Sequence, residues 1–243
     1  MVFSAVAAVA VAVLVPTAES LAGRHRADRI ASTSVPQPAH WWQAEGNAKD
    51  SVGSDDGTLK GATFEPGVHG TDQAFSFDGQ RAQVVFNNVG GNRWRQDFTF
   101  SFFVKTTGQT KQAVGEKRPV CDAASFWDFR LSAAGLVQPT LYGGRGRDWT
   151  PGLSSTTSVN DGSWHAVALS RHGTTASLYI DGQLEATATT AHPVYLNNDA
   201  RLRMGMSVCV GVDGARPFTG ELDGLRIYHS ALSQQQVQGL SRS

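Results

Sequence analysis

From Trp42 to Tyr228 the chain is written in short alternating runs, most of them closed by glycine. Phe98, Phe100, Phe102 and Val104 hold every second position of Asp97–Lys105. Trp127, Phe129 and Leu131 do so in Phe126–Leu131, and Ala176, Leu178 and Ile180 in the run before Asp181. A period of two puts such residues on one face of a pleated strand, which a helix cannot do. Phe103 adds an apolar group to the opposite face of its run, which suits a central strand. Asp181-Gly182 sits between two runs and reads as a two-residue hairpin loop. Asp78-Gly79 ends the run Ala74–Phe77 in the same manner, with Ala82–Phe86 leading back. Strands this numerous, with no strand–helix alternation, exclude a parallel α/β fold and predict an all-β antiparallel sandwich. A short C-terminal helix follows, capped by Ser233 and docked through Leu232, Val237 and Leu240.

The last run, Gly220–Tyr228, carries an acid within an apolar pattern. By the period of two, Asp223 falls on the face of Leu225 and Ile227, where a carboxylate needs a donor, a cation or a metal.

Charge narrows the function classes. Lys plus Arg and Asp plus Glu number 21 each among 243 residues. That balance supplies no field to gather nucleic acid or an anionic membrane. Residues 2–15 form an uncharged apolar run that falls short of the roughly 20 residues a membrane span needs. Small residues at cleavage spacing follow in Ala18-Glu19-Ser20 and Ser20-Leu21-Ala22. Residues 1–22 are therefore read as a secretory signal peptide, with no integral span after cleavage. No Lys or Arg precedes the run, so a start upstream or an uncleaved anchor are the alternatives. Residues 23–39 read as a flexible linker rich in Arg, Ser, Thr and Pro, and residues 40–243 as the folded domain. In an exported chain, Cys121 and Cys209 are either a disulfide or two buried thiols.

The order of motifs carries a resemblance. Ala44-Glu45-Gly46-Asn47, Phe75-Ser76-Phe77-Asp78-Gly79, Asp161-Gly162-Ser163-Trp164-His165, Leu178-Tyr179-Ile180-Asp181-Gly182 and Phe218–Asp223 through Ala231-Leu232-Ser233 together resemble bacterial LamG-like jelly-roll domains. These belong to the concanavalin A-like lectin/glucanase superfamily. The resemblance implies a curved jelly-roll sandwich, secretion, a structural calcium in many members, and extracellular glycan or protein ligands. Cys121 before Phe126-Trp127-Asp128 and Cys209 before Asp213-Gly214 are similar to an actinobacterial subgroup with a paired cysteine, which implies the disulfide.

Glucanases of that superfamily place Glu-x-Asp-x-x-Glu on one strand, two glutamates acting as nucleophile and acid. Here Glu221 and Asp223 begin the pattern, but Arg226 stands where the second Glu belongs, and an arginine cannot act as a general acid near pH 7. No enzyme activity is expected. Calcium needs hard oxygens, and Glu45, Asp50 and Asp223 are the candidate ligands if first and last strands are neighbours. A ligand surface needs aromatic platforms with planar polar groups on loops. Trp149, Tyr142, Arg145 and Arg147 meet that description in the Gly/Arg loop, with Trp127 on the concave face. Trp164 is expected in the core, His165 as a core histidine bonded to a carbonyl, and Arg226 paired with Asp128 or Glu221. The expected function is a secreted, non-catalytic module binding carbohydrate or another extracellular polymer. The alternative is an adhesive protein–protein domain or an accessory remnant of a larger glycoside hydrolase.

Overall fold

The computed structural model describes residues 34–87, 89–90, 94, 97–122, 125–143, 149–150 and 152–242. Residues 1–22, expected as a signal peptide, and the first part of the expected linker lie outside these residues. The compact unit begins at Ser34, before the expected end of the linker. Val35 packs beside the C-terminal helix, and the Ala39 N–H donates to the Ile227 carbonyl at 2.7 Å.

Strands are numbered in chain order. The first sheet runs β12 (Gln183–Thr189), β11 (Thr175–Ile180), β10 (His165–His172), β6 (Phe98–Lys105), β15 (Thr219–Tyr228), β4 (Gln73–Asp78) and β3 (Thr63–Pro66), and β1 (His40–Trp42) also pairs with β15. The second runs β2 (Gly57–Lys60), β5 (Gln83–Phe86), β13 (Leu202–Met204), β7 (Gln112–Lys117), β8 (Phe126–Leu131) and β9 (Val137–Tyr142), with β14 (Arg216–Pro217) beside β7. Every pairing between these strands is antiparallel except β14 with β7. The sandwich, the central place of β6 and the Asp181-Gly182 hairpin are as expected. Asp181 and Gly182 both take positive φ, 51° and 77°, as a type I′ turn requires. The turn at Asp78-Gly79 differs from expectation. It carries the chain from the first sheet to the second, because β4 and β5 belong to different sheets. Asp78 holds this crossing by accepting from the N–H groups of Gln80, Arg81 and Ala82.

The core lies between the sheets. Phe100 and Phe102 of β6 meet Trp127 and Phe129 of β8, with ring centroids 5.1–5.4 Å apart across the interface. Tilted and edge-on aromatic contacts of this kind add stabilisation beyond the area they bury. Cys121 and Cys209 form a disulfide with Cα atoms 4.9 Å apart. It ties the turn after β7 to the loop after β13. The C-terminal helix α1 (Gln234–Leu240) begins with a capping box: Ser233 accepts from the Gln236 N–H, and the Gln236 side chain accepts from the Ser233 N–H. Its Val237 and Leu240 cover Ala168, Tyr179 and Tyr228 on the outer face of the first sheet.

One irregularity decides what β15 presents on each side. Its register against β6 slips between Asp223 and Arg226. Gly224 takes φ +55° at that point. A bulge adds a residue and so breaks the period of two. Leu222, Leu225 and Ile227 all enter the core, while Asp223 and Arg226 turn to the outer face. The expectation that Asp223 shares a face with Leu225 and Ile227 is therefore overturned: the count of two fails across the bulge.

The two glycines of this strand predict different costs. A Cβ on Gly224 would stand 3.4 Å from the Phe103 ring, so Gly224→Ala brings mainly left-handed strain, about 1 kcal/mol. A Cβ on Gly220, at φ +135°, would stand 2.3 Å from the Lys105 carbonyl oxygen. Gly220→Ala should cost about 3 kcal/mol or more, since backbone of the central pair must move. Urea unfolding midpoints at unchanged slope check both; equal losses at the two positions would contradict the account.

Candidate functional site

Two clefts carry the polar side chains singled out by the sequence, one on the outer face of each sheet. The first opens where the bulge turns Asp223 outward. Trp41, Glu45, Val68, Asp72, Phe103 and Asp223 line a space of about 300 Å³. The first and last strands are neighbours, as expected, Trp42 lying opposite Leu225. The Asp223 carboxylate is buried and accepts the Val68 N–H at 3.0 Å. Asp72 accepts the His69 N–H at 3.0 Å. Glu45 reaches the Gln73 N–H at 3.4 Å. Burial pushes the Asp223 carboxyl up to about 6, the charges of Asp72 and Glu45 push the same way, and the N–H groups of Val68 and Gly224 oppose them. A Cβ on Gly67 would lie 2.7 Å from an Asp72 oxygen and 2.8 Å from an Asp223 oxygen. Glycine is what lets the backbone approach both carboxylates.

The carboxylates supply hard oxygen donors, and Gln43, His69 and Arg226 line the same cleft. Among the described residues, no three His, Cys, Asp or Glu side chains gather as metal ligands. Calcium does not require three, because it fills its shell with backbone carbonyls and water. The residues that could serve are Asp223 and Asp72, which approach each other at Gly67, while Glu45 lines the same cleft without joining them as a third ligand. Asp50, the third residue expected in the set, is placed elsewhere. Its Oδ1 accepts from Trp41, Val52 and Gly53 N–H groups. Its Oδ2 meets His40 Nδ1 at 2.7 Å and the Asp55 N–H at 3.3 Å. Burial would raise its pKa, but these donors together hold it below the usual range. Asp50 organises the turn after β1 and does not line the cleft. The Arg226 guanidinium lies 4.7 Å from the Trp41 ring, a cation–π contact.

The second cleft lies on the outer face of the second sheet, where Phe126, Thr140 and Tyr142 alternate with the core residues Trp127 and Leu141. Arg118, Cys121, Asp122 and Trp149 complete a space of about 510 Å³. Tyr142 and Trp149 are brought together by an isolated antiparallel bridge. The rings of Phe126 and Tyr142 are 5.3 Å apart. Trp149 is 42% exposed, whereas most tryptophans here are buried or partly so. Arg145 and Arg147 lie outside the described residues. Trp127 is corrected: one step along β8 turns it into the core, 2% exposed, and gives the cleft Phe126 instead.

Beneath this cleft runs a buried charge network. The Glu116 carboxylate accepts the Ser207 hydroxyl and the Val208 N–H, each at 2.6 Å. Arg130 lies 3.1 Å from Asp213 and 3.4 Å from Asp128. Burial pushes Glu116 and Asp128 above the carboxylate range, against the nearby arginines. Both Glu116 oxygens are committed to the loop after β13, so this acid does not face the cleft.

With the geometry in place, comparison with known proteins gives one family. A laminin G-type family profile, described as the concanavalin A-like lectin/glucanases superfamily, matches residues 78–238. The chain belongs to this family. No curated protein matches it in sequence. Among solved structures, domain 4 of AbnA, a GH43 extracellular arabinanase from Geobacillus stearothermophilus in complex with arabinotriose, aligns with a TM-score of 0.64 at 20% identity, over 84% of this chain and 98% of that one. The Botulinum neurotoxin serotype G binding domain aligns at 0.66 and 14% identity, over 85% of this chain and 51% of that one. The binding domain of Paraclostridial Mosquitocidal Protein 1 aligns at 0.65 and 12% identity, over 84% and 51%. The chain spans about half the length of the two toxin binding domains. At such identities the likeness is one of fold.

Within this laminin G-type fold several other expectations shift. Trp164 is only partly buried, with the Lys105 ammonium 5.7 Å from its ring centroid. His165 is held by carboxylates, Asp181 at 2.8 Å and Asp161 at 3.2 Å, and not by a carbonyl. Burial would lower its pKa, but these two acids outweigh it and raise it. Arg118, Asp122, Phe126 and Asp72 are site residues the sequence reading did not name. Phe126 was one position away in the alternation and Asp122 adjoins the expected disulfide. Asp72 has no local signal, since it meets Asp223 only through a contact 150 residues distant.

The raised pKa of Asp223 gives a signed prediction. The native state holds this proton up to about pH 6, whereas an unfolded aspartate loses it near 3.9. Stability therefore falls as pH rises from about 4 to about 6, and the deficit persists above. In chelator-containing buffer, Asp223→Asn should raise the melting temperature at pH 8 and leave it unchanged at pH 4. A loss at pH 8 would contradict the account.

Proposed function

We propose that this domain is a secreted, non-catalytic binding module for carbohydrate or another extracellular polymer, and that the Trp149–Tyr142–Phe126 cleft is its contact surface. The observation that carries this reading is a half-open aromatic cleft of about 510 Å³ whose rim is an exposed tryptophan. Ligand pockets commonly occupy ~300–1,000 Å³ with aromatic walls and a few placed polar groups. Sugar rings stack on such walls through their apolar C–H faces. The complex of the AbnA domain with arabinotriose supports a carbohydrate ligand for this fold, since nearly the whole of that domain is covered.

The absence of a catalytic role rests on the same chemistry as before. Arg226 takes the place of the second glutamate, and Glu116 is committed to Ser207 and Val208. Secretion is supported by the apolar run at residues 2–15 and by a disulfide, which persists in oxidising compartments. Among the described residues, no helix is long and apolar enough to cross a membrane. Calcium is proposed as a structural ion held by Asp223 and Asp72, with backbone carbonyls and water completing its shell and Glu45 nearby in the cleft, where it would relieve the repulsion among these charges.

A protein ligand is the second reading. Val120 and Val212, 56% and 75% exposed, stand within three residues of the disulfide on either side, and a botulinum DC binding domain of the same fold is described in complex with rat synaptotagmin II.

Two measurements test the proposal. On an array of extracellular polysaccharides, the domain should bind at least one neutral or acidic chain, and Trp149→Ala should weaken that binding at least tenfold, as loss of ~1.4 kcal/mol or more of stacking implies. Silence across the array would favour the protein ligand. Calcium should raise the melting temperature of the wild type and not of Asp223→Asn; equal shifts in both would remove Asp223 from the ion's shell.

A further inference from the structure

Arg118 lines the cleft and is not free to move in it. Its guanidinium stacks 3.2 Å from the Phe126 ring centroid. Its Nη1 donates to Cys209 Sγ at 2.8 Å. Its Nη2 lies 3.5 Å from Asp128, and its main-chain carbonyl accepts from Arg203 at 3.2 Å. The residue is 7% exposed, yet its Nε finds no partner among the described residues. Asp122 also lines the cleft and is exposed. It follows the disulfide cysteine Cys121 directly, which fixes where its backbone can go. Thr140 also lines the cleft, its hydroxyl bonded to Asp128.

Among the described residues the cleft thus offers a rigid donor, a carboxylate acceptor and stacking faces, with Arg118 held next to the buried Asp128 and Asp122 on the same lining. We infer that the cleft takes a neutral oligosaccharide, with a pair of ring hydroxyls bridging Arg118 and Asp122 while the ring lies against Trp149 and Tyr142, and that Asp122 turns away sugars bearing carboxylates. This rests on the binding reading above and deepens it. A hydroxyl both donates and accepts, so one diol satisfies both side chains. A uronate would satisfy Arg118 but set like charges together at Asp122, and like-charge juxtaposition in a contact is strongly disfavoured. Such exclusion by an unfavourable contact is how a site discriminates between ligands of one shape.

The test is a titration of the intact domain with neutral glucan, xylan, galactan and arabinan oligosaccharides beside oligogalacturonate and oligoglucuronate of equal length. The wild type should prefer its best neutral chain over either uronate by about tenfold or more. Asp122→Asn keeps an acceptor and removes the charge, and should narrow that preference to near parity. Because Asp122 is exposed, this variant keeps the buried network of Arg118 intact, and Arg118→Lys, which loses the planar fork, should weaken neutral binding without restoring the uronates. Preference for a uronate in the wild type, or an unchanged ratio in Asp122→Asn, overturns the inference while leaving the cleft as the binding surface. Binding of no oligosaccharide by any variant overturns the binding reading itself.

Discussion

The bulge at Gly224 is the constraint on which the division of this molecule into core and surface depends. The strand Thr219–Tyr228 pairs with three others, β1, β4 and β6, and through β6 is joined to the rest of the first sheet. Without the extra residue, either Leu222 or the pair Leu225 and Ile227 would have to leave the core. With it, all three stay inside, and an acid and an arginine are delivered to the outer face. There Asp223 comes under the turn at Val68, against Asp72, while Arg226 lies over Trp41. A one-residue slip of register thus converts a buried, partnerless acid into half of a cleft.

The opposite sheet uses regular alternation for the same end. Along β8 and β9, Trp127, Phe129, Val137 and Leu141 fill the core, and the intervening Phe126, Thr140 and Tyr142 face outward to the second cleft. The disulfide and the charge network of Glu116, Arg130, Asp128 and Asp213 fasten the loop after β13 over part of that face. Buried ion pairs of this kind contribute little net stability against their desolvation. Their effect here is geometric: Asp128 helps hold Arg118 against Phe126.

Where the backbone is regular, the sequence was legible. The alternation of Phe98–Val104 placed β6 at the centre, Asp181-Gly182 placed a hairpin, Ser233 placed a helix start, and the pairing of the cysteines followed from the resemblance. Where a local device intervened, counting failed. The bulge reversed the side of Asp223, and the turn at Asp78 changed sheets where a hairpin was expected. Asp50 spends its oxygens on the N–H groups of its own turn, a choice that composition does not reveal. Trp127 and Phe126 differ by one step, and nothing in an aromatic pair says which member faces inward. Asp72 and Asp223 meet by topology alone.

Trp149, one tryptophan among six, is the residue proposed to contact ligand. The indole N–H signals of the domain offer a direct test in a titration with whichever oligosaccharide binds. The Trp149 signal should shift with saturation, while those of Trp42, Trp94 and Trp127, packed between the sheets, stay fixed. A silent Trp149, with the shifts gathered instead at Trp41 beside Asp223, would move the ligand to the first cleft and contradict the account.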